Sequence, residues 1–316
     1  MDRFWLKNYP QGVPADIDPS RYKSLIQLFD EAFKKYSGQG AYSFMGAEMT
    51  FGQLDQNSAA IGAWLQSRGF AKGTRVAIMM PNVLQYPVAM AGVLRAGYTV
   101  VNVNPLYTPR ELEHQLKDSG AEAIFILENF ATTLQQVIDK VPTKTVVVCA
   151  MGDMLPFPKS LIVNFVVRNV KKMVPEFSMP NARRWNDVLA DGTKMNLKQV
   201  ECSHGDVAFL QYTGGTTGVS KGATLTHKNV IANMLQAEAW YQPALAKLKP
   251  GEQMITVTAL PLYHIFALTC CALLSMRTGG KNLLIPNPRD IPGFVKELGK
   301  HKFGVFPAVN TLFNGL

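Results

Sequence analysis

Four short segments in the first half of the chain are apolar at nearly every position, and segments with helical patterning separate them. They are RVAIMM (75–80), TVVNVNP (99–105), AIFIL (123–127) and TKTVVVCA (143–150). Strands that are apolar on both faces need cover on both faces, which a parallel sheet obtains from the helices that connect its strands. The pattern predicts an α/β fold. With 47% hydrophobic residues, it excludes disordered, collagen-like and coiled-coil chains.

Several helix boundaries can be predicted from local signals. The segment SLIQLFDEAFKKY (24–36) repeats apolar residues at helical spacing. Thr108 followed by Pro109 is a typical cap and first residue of the helix that comes next. For the helix that precedes Gly69, Asp55 or Asn57 is the predicted cap, because short polar side chains satisfy the free amides of the first turn.

Charge and cysteine content narrow the partners and the compartment. The chain has 32 Lys and Arg against 23 Asp and Glu, a formal net charge of +9. This balance indicates an anionic partner, whether nucleic acid, a phosphorylated ligand or an acidic membrane. The four cysteines lack CxxC or metal-ligand spacing, and residues 1–14 lack the apolar run of a signal peptide. We therefore predict a cytoplasmic protein.

Residues 253–276 contain no charged side chain and are long enough to cross a bilayer. Pro261 and His264 interrupt the run, and its first part is β-branched whereas its second part is rich in small residues. A strand, a loop and a buried helix explain the segment better than a transmembrane helix does.

A second segment, 160–174, is a basic amphipathic helix on a helical wheel. Ile162, Val163, Val166, Val167, Val170, Met173 and Val174 form one arc, and the opposite arc consists of Asn164, Arg168, Lys171 and Lys172. Such a helix is typical of membrane surfaces. The alternative is a helix that packs its apolar arc against its own protein.

The segment DVAFLQYTGGTTGVSKGATLTHKN (206–229) carries the strongest chemical signal. An apolar strand leads into three glycines within five residues, with threonine hydroxyls and a lysine beside them. Glycine lets backbone amides turn inward, so the loop is suited to bind phosphate. The Walker pattern does not match, because Lys221 comes three residues after Gly218 and is followed by Gly222. The GxGxxG pattern does not match either.

The loop YTGGTTGVSKGATLTH resembles the signature phosphate-binding loop of the adenylate-forming enzymes, which include acyl-CoA synthetases, luciferases and peptide-synthetase adenylation domains. Residues 82–121, ALPLYHIFALT (259–269) and NPRDIPGFVKEL (287–298) resemble the bacterial long-chain fatty acid–CoA ligases within that superfamily. The resemblance extends over essentially the whole chain. It implies the N-terminal domain fold of these enzymes, with parallel and mixed sheets flanked by helices.

The resemblance also implies a reaction. These enzymes use ATP and Mg²⁺ to join a carboxylate to AMP and then transfer the acyl group to coenzyme A, so a long-chain fatty acid would become acyl-CoA through an acyl-adenylate. Positioning and charge neutralisation suffice for such a reaction without a nucleophilic side chain. The implied phosphate-binding residues are Thr213, Gly214, Gly215, Thr216, Thr217, Gly218 and Lys221.

The acyl site is implied by the same likeness. His264 matches the position beside the acyl carboxylate, with Tyr263 and Phe266 near the pocket mouth; the alternative is a buried core histidine. Val309, Asn310 and Leu312 are expected to line the acyl channel.

The family pattern continues past residue 316, so we expect the chain to stop before the Mg²⁺-ligand Glu, the last subdomain and the small C-terminal domain with the adenylation Lys. Within this chain we therefore expect no catalytic residue and no metal ligand. We divide it into a first α/β subdomain, 1–200, with a basic insert near 155–185, and the start of a second, 201–316.

These expectations leave alternatives open. The chain could be a non-catalytic fatty-acid- or membrane-binding unit, or its parent an acyl-AMP or aryl-CoA ligase. The net charge is now attributed to nucleotide phosphates and anionic lipid and no longer to nucleic acid. We predict peripheral contact with the inner membrane through Arg168, Lys171 and Lys172, and a possible homodimer.

Overall fold

The computed structural model describes residues 2–213 and 220–316 and contains two β-sheets. The strands are β1 (Gly40–Phe44), β2 (Ala47–Thr50), β3 (Arg75–Met79), β4 (Thr99–Asn102), β5 (Ala123–Leu127), β6 (Thr145–Cys149), β7 (Arg183–Arg184), β8 (Val207–Thr213), β9 (Lys221–Thr226), β10 (Ile255–Thr258) and β11 (Lys281–Leu284). As predicted, the apolar strands pair in parallel, and helices cover the sheet that they form.

The α-helices are α1 (Leu25–Tyr36), α2 (Phe51–Gln66), α3 (Gln85–Arg95), α4 (Pro109–Ser119), α5 (Ala131–Gln135), α6 (Lys159–Phe165), α7 (Trp185–Gly192), α8 (His227–Leu245), α9 (Ile265–Ala267), α10 (Leu274–Thr278), α11 (Ile291–Leu298) and α12 (Asn310–Gly315). Two π-helical turns, Val166–Val170 and Leu268–Leu273, continue α6 and α9. Short 3₁₀ turns lie at Phe4–Asn8, Pro19–Arg21, Glu128–Phe130 and Ile138–Lys140.

The larger sheet has seven strands in the order β7-β6-β5-β3-β4-β8-β9. The first six run parallel, and β9 pairs antiparallel with β8 at the edge. β4 and β5 are buried along their whole length. Helices cover both faces, as the apolar strands require.

The smaller sheet has the order β10-β11-β1-β2, with β2 antiparallel to β1. Both sheets contain strands from either side of residue 200, since β8 and β9 join the larger sheet and β10 and β11 join the smaller one. The sheets therefore do not follow the predicted subdomain boundary, and the division at 200 stays a prediction.

Helices α2 and α3 cross closely because each has a glycine at the crossing. A Cβ atom on Gly62 would lie 2.9 Å from the Gly92 carbonyl oxygen, and one on Gly92 would lie 2.9 Å from the Ile61 side chain. Any larger residue would therefore push the two helices apart.

The predicted boundaries are confirmed at α1 and α4. Thr108 caps α4 and exchanges hydrogen bonds with Glu111. The predicted cap of α2 is wrong: the helix begins at Phe51, where Thr50 and Gln53 form a capping box. Asp55 lies inside that helix, where its carboxylate pairs with Arg95 at 2.8 Å.

The uncharged segment 253–276 consists of β10, a loop through Pro261, and the helical stretch from Ile265 to Thr278, as predicted. Across the ranges 2–213 and 220–316, no helix combines the length and the apolarity needed to cross a bilayer.

The helix predicted over 160–174 starts at Lys159 and ends at Val170. Lys172, two residues beyond this end, adopts a φ of +50°. Its predicted faces are wrong in part. Asn164 and Arg168 hydrogen-bond to the protein, while Ile162 and Val170 of the apolar arc are exposed.

His227, the first residue of α8, connects two distant parts of the chain. Its Nδ1 atom accepts a hydrogen bond of 3.1 Å from the Leu25 amide, and the side chain is 2% exposed. Burial lowers the pKa of His227 to about 4, because the charged imidazolium is poorly solvated there. The ring is therefore neutral at pH 7 and accepts at Nδ1.

This histidine makes stability depend on pH. The folded-state pKa lies below the usual value of about 6.5, so the unfolded chain takes up the proton first as the pH falls. We predict that proton uptake by His227 in the unfolded chain lowers the free energy of unfolding by about 3 kcal/mol as the pH falls from 7.5 to 4. In urea unfolding, His227→Gln, whose amide oxygen can still accept from Leu25, should lack this contribution.

The matched control is His264→Gln, which makes the same change of residue type at an exposed histidine. If wild type and His227→Gln lose stability in parallel as the pH falls from 6.5 to 4, His227 does not carry the effect.

Candidate functional site

The carboxyl ends of β4 and β8 meet at one edge of the larger sheet. The two strands are parallel neighbours, with Asn102 opposite Gln211. Open α/β sheets bind ligands outside the carboxyl ends of their strands, so this edge is the expected place for a site. The segment that follows β8 contains five of the predicted phosphate-binding residues, which lie outside the described residues: Gly214, Gly215, Thr216, Thr217 and Gly218. Their contacts stay predictions.

The two other predicted phosphate-binding residues, Thr213 and Lys221, flank that segment. They lie directly opposite each other in the β8–β9 pair, and both are exposed. Side chains of directly opposed residues project from the same face of a sheet about 5 Å apart. Within the ranges described, Lys221 forms no ion pair. A hydroxyl and an ammonium group are therefore available together beside the loop.

The loop end of the β8–β9 hairpin is anchored to α4. The Tyr212 hydroxyl donates a hydrogen bond of 2.5 Å to Asp118, and His114 Nε2 donates one of 3.0 Å to the Ser220 carbonyl oxygen. Burial raises the pKa of Tyr212, and the neighbouring Asp118 carboxylate adds to the rise. Gly222 gives the Tyr212 ring its space, since a Cβ atom there would lie 2.8 Å from the ring.

A buried polar network joins the hairpin to the segment that contains His264. Asn102 Nδ2 donates to Gln211 Oε1 at 3.0 Å, and Gln211 Nε2 donates to the Tyr263 carbonyl oxygen at 2.8 Å. The Tyr86 hydroxyl lies 2.8 Å from both Asn102 Oδ1 and the Leu262 carbonyl oxygen. Asn102, Gln211 and Tyr86 are at most 4% exposed. Buried amides whose hydrogen bonds are satisfied in this way fix one arrangement of the segments they join.

Asn82 holds the same loop from the other side. Its Nδ2 donates to the carbonyl oxygens of Thr258 and Leu260 at 2.8 and 3.0 Å, and its Oδ1 accepts from the Leu262 amide at 2.9 Å. These network residues were missed in the sequence. The available signal was a polar side chain beside or inside an apolar strand, as at Asn82 and Asn102.

His264 lies at the surface, so the alternative of a buried core histidine is wrong. It caps α9, and its Nδ1 accepts a hydrogen bond of 3.4 Å from the Phe266 amide. Tyr263 is half-buried, and burial raises its pKa, while Phe266 is 42% exposed. His264 and the two predicted pocket-mouth residues, Tyr263 and Phe266, thus lie together around the start of α9, in a segment that the network holds against β8.

Of the three predicted channel residues, Leu312 packs in an apolar cluster, and this cluster is not the one that Tyr263 joins. Val309 directly precedes α12 and is half-exposed, and Asn310 is exposed. Leu312 packs with Val257 and Phe294, whereas Tyr263 packs with the central core. The role of Val309, Asn310 and Leu312 in an acyl channel stays a prediction.

Two clefts of about 570 and 400 Å³ open at the opposite edge of the sheet, near the amino ends of its strands. Both are lined by Lys72, Cys202 and Asp206, and Lys72 pairs with Asp206 at 3.0 Å. None of the residues predicted for the phosphate or acyl site lines either cleft. Among the residues that the structure describes, no three His, Cys, Asp or Glu side chains gather into a possible metal site.

The sequence profile of the family described as "AMP-binding enzyme" matches residues 29–316. The chain belongs to this family of AMP-binding enzymes.

Curated relatives are similar over the whole chain. A long-chain-fatty-acid–CoA ligase of Salmonella typhimurium is 55% identical over 317 aligned residues, which cover 100% of this chain and 56% of the relative. A ligase of the same name from Haemophilus influenzae is 49% identical with the same coverage. The chain spans about half the length of these curated relatives.

The fold is also that of solved AMP-binding enzymes. An anthranilate CoA ligase in complex with anthranoyl-AMP superposes with a TM-score of 0.76 at 18% identity. The match covers 95% of this chain and 52% of that one. The likeness confirms the predicted fold, an α/β domain with parallel and mixed sheets.

We predict that loss of a hydrogen bond in the buried network lowers the stability of the fold. Asn102→Ala leaves the buried side-chain oxygen of Gln211 without its donor, so we expect the free energy of unfolding to fall by about 2–3 kcal/mol. Chemical denaturation measures this loss. An exposed asparagine, Asn196→Ala, is the matched control. A loss at Asn102 below about 0.5 kcal/mol, the range of ordinary surface substitutions, would contradict the network.

Proposed function

We propose that this chain binds ATP and a long-chain fatty acid for an acyl-CoA ligase reaction. ATP and the fatty carboxylate form an acyl-adenylate with release of pyrophosphate, and the thiol of coenzyme A then displaces AMP. The observation that carries this proposal is the identity of 55% across the whole chain with a curated long-chain-fatty-acid–CoA ligase. The proposal applies to the reaction of the whole protein.

The edge formed by β4 and β8 supports the nucleotide half of the proposal. Thr213 and Lys221 flank the glycine-rich segment on one face of the hairpin, and Lys221 supplies a positive charge. Phosphate oxygens are bound by amide and hydroxyl donors together with a cation. We assign the β- and γ-phosphates of ATP to residues 213–221.

Adenylation needs little covalent chemistry from the protein. The carboxylate oxygen attacks the α-phosphorus, the bond to the bridging oxygen breaks, and pyrophosphate leaves with the bonding electrons. Side chains accelerate such a step by alignment and by neutralising charge on the leaving group. We assign charge neutralisation to Lys221 and orientation of the acyl carboxylate to His264, which is exposed at the same edge.

Mg²⁺ is proposed only as the companion of the ATP phosphates. The described part of the chain gathers no set of metal ligands, so we assign no step to a metal bound by these residues. Coenzyme A is proposed as the acyl acceptor on the strength of the same relatives.

The acyl substrate is proposed to be a long aliphatic chain. Burial of each CH₂ group contributes about 0.8 kcal/mol, so an apolar channel would distinguish long chains from short ones. An aryl-CoA ligase or an acyl-AMP ligase is the alternative within the family. Initial rates of pyrophosphate release with palmitate, octanoate and coumarate distinguish fatty from aryl substrates, and a preference for coumarate would contradict the fatty-acid assignment. Release of AMP on addition of coenzyme A distinguishes a CoA ligase from an acyl-AMP ligase.

A binding function without turnover is the second candidate. The chain spans 56% of the length of its relatives, so turnover by this chain is tested separately from binding. Pyrophosphate release with ATP, Mg²⁺ and oleate decides between the two. A robust rate that Lys221→Ala abolishes supports turnover, and ATP binding without release supports the second candidate.

The proposed setting follows from the substrate. A fatty acid partitions into bilayers, so we propose a cytoplasmic protein in peripheral contact with the inner membrane. Homodimer formation is also proposed, with sedimentation equilibrium as its test.

The phosphate assignment makes a quantitative prediction. Lys221→Ala should raise the ATP dissociation constant about 10- to 100-fold, because a charged hydrogen-bonding group is lost. Thr213→Val should raise it by about two- to tenfold through loss of a neutral hydroxyl. Isothermal titration calorimetry measures both.

Lys228→Ala, at an exposed lysine of the neighbouring helix, is the matched control. If Lys221→Ala and Lys228→Ala bind ATP equally well, the phosphates lie elsewhere.

A further inference from the structure

Residues 157–173 expose an apolar surface that the rest of the described chain does not cover. This stretch holds six of the 18 large hydrophobic side chains that are exposed among the described residues. They are Phe157, Leu161, Ile162, Phe165, Val170 and Met173. Phe157 is 81% exposed and Leu161 is 63% exposed. Concentration of such side chains in one segment marks an interaction surface.

The helix within this segment is held to the protein by polar groups. The Arg168 guanidinium donates two hydrogen bonds of 2.8 Å to the two carboxylate oxygens of Glu128, whose side chain is 2% exposed. Asn164 accepts a hydrogen bond of 2.7 Å from the Gly152 amide. A bidentate pair of this kind fixes orientation as well as contributing energy. It therefore holds the helix in the position that leaves Leu161 and Phe165 facing solvent.

The charges beside the exposed face are positive. Lys171 and Lys172 are exposed and have no ion-pair partner in the described ranges, and Glu176 is the one acidic residue between 155 and 185. The other basic residues of that segment have partners within the protein: Lys159 with the Met45 carbonyl oxygen, Arg168 and Arg184 with Glu128, and Arg183 with Asp191. Lys171 and Lys172 are therefore available to contact an anionic partner.

We propose that residues 157–173 form a surface that docks on an anionic phospholipid bilayer. Leu161, Ile162 and Phe165 enter the interfacial layer, and Lys171 and Lys172 contact the headgroups. Arg168 is a positioning residue, which changes the predicted role of this side chain from lipid contact to anchoring of the helix. The inference deepens the proposed peripheral contact with the inner membrane by naming the surface that makes it, and it is independent of the ligase reaction.

A second copy of the chain is a less suitable occupant. In a two-fold dimer the same patch faces itself, so Lys171 and Lys172 would approach their own copies. An anionic bilayer accepts the apolar face and both positive charges together.

Sedimentation with vesicles of phosphatidylcholine and phosphatidylglycerol, without ATP or fatty acid, tests the docking. Leu161→Ser/Phe165→Ser should lower the partition coefficient at least about tenfold, because the apolar groups that enter the bilayer are lost. Lys171→Gln/Lys172→Gln should lower it by on the order of twentyfold at low salt and have little effect on pure phosphatidylcholine. Leu106→Ser, at a leucine that is 67% exposed elsewhere, should bind like wild type.

Salt dependence distinguishes anchoring from lipid contact at Arg168. Arg168→Gln should weaken binding while the slope against salt concentration stays that of wild type, and Arg168→Lys should restore part of the binding. The lysine double variant should show a smaller slope. A smaller slope for Arg168→Gln would return this residue to lipid contact and overturn its positioning role.

Equal vesicle binding by wild type and Leu161→Ser/Phe165→Ser would overturn the proposal. If the double variant in that case also dissociates a wild-type dimer, the surface belongs to a second copy. Circular dichroism verifies that the variants are folded. Pyrophosphate release with octanoate reports the proposed function separately, so a failure of that assay leaves the vesicle result standing.

Discussion

The hydrogen bond between Asn102 and Gln211 lies inside a sheet whose other side chains are mostly apolar, and the geometry of the candidate site depends on it. This bond joins the carboxyl ends of β4 and β8. Gln211 also donates a hydrogen bond to the Tyr263 carbonyl oxygen, which holds that loop against the end of β8. A buried amide that loses its partner costs the full desolvation penalty, so the arrangement is strongly preferred over its alternatives. The β8–β9 hairpin and the His264 segment are positioned as a unit.

Much of the fold could be predicted because its determinants are local. The apolar strands β3, β4, β5 and β6 show no alternation, which indicates burial on both faces, and the Thr108-Pro109 pair marks the start of α4. The start of α2 was predicted too late because Asp55 and Asn57 are good caps by residue type. Thr50 and Gln53 form a more complete capping arrangement upstream.

The chemistry of the site stays a prediction from residue type, and its geometry could be predicted only in part. The glycines, threonines and lysine of 213–221 indicate phosphate binding by residue type. The partners of Asn82 lie 176 to 180 residues away in sequence, so no local pattern reveals them. The helix after Lys159 illustrates the same limit. A helical wheel separates apolar from polar residues, but the buried Glu128 that binds Arg168 decides which face turns inward.

We propose that ATP phosphates bind at the carboxyl edge of the seven-stranded sheet. The two clefts at the amino edge, which share Lys72 and Asp206, are the competing location. Hydrogen–deuterium exchange with and without ATP and Mg²⁺ distinguishes the two edges directly. We predict slower exchange in peptides from 210–226 and unchanged exchange in 70–76 and 201–206. Protection confined to 70–76 and 201–206 would contradict it.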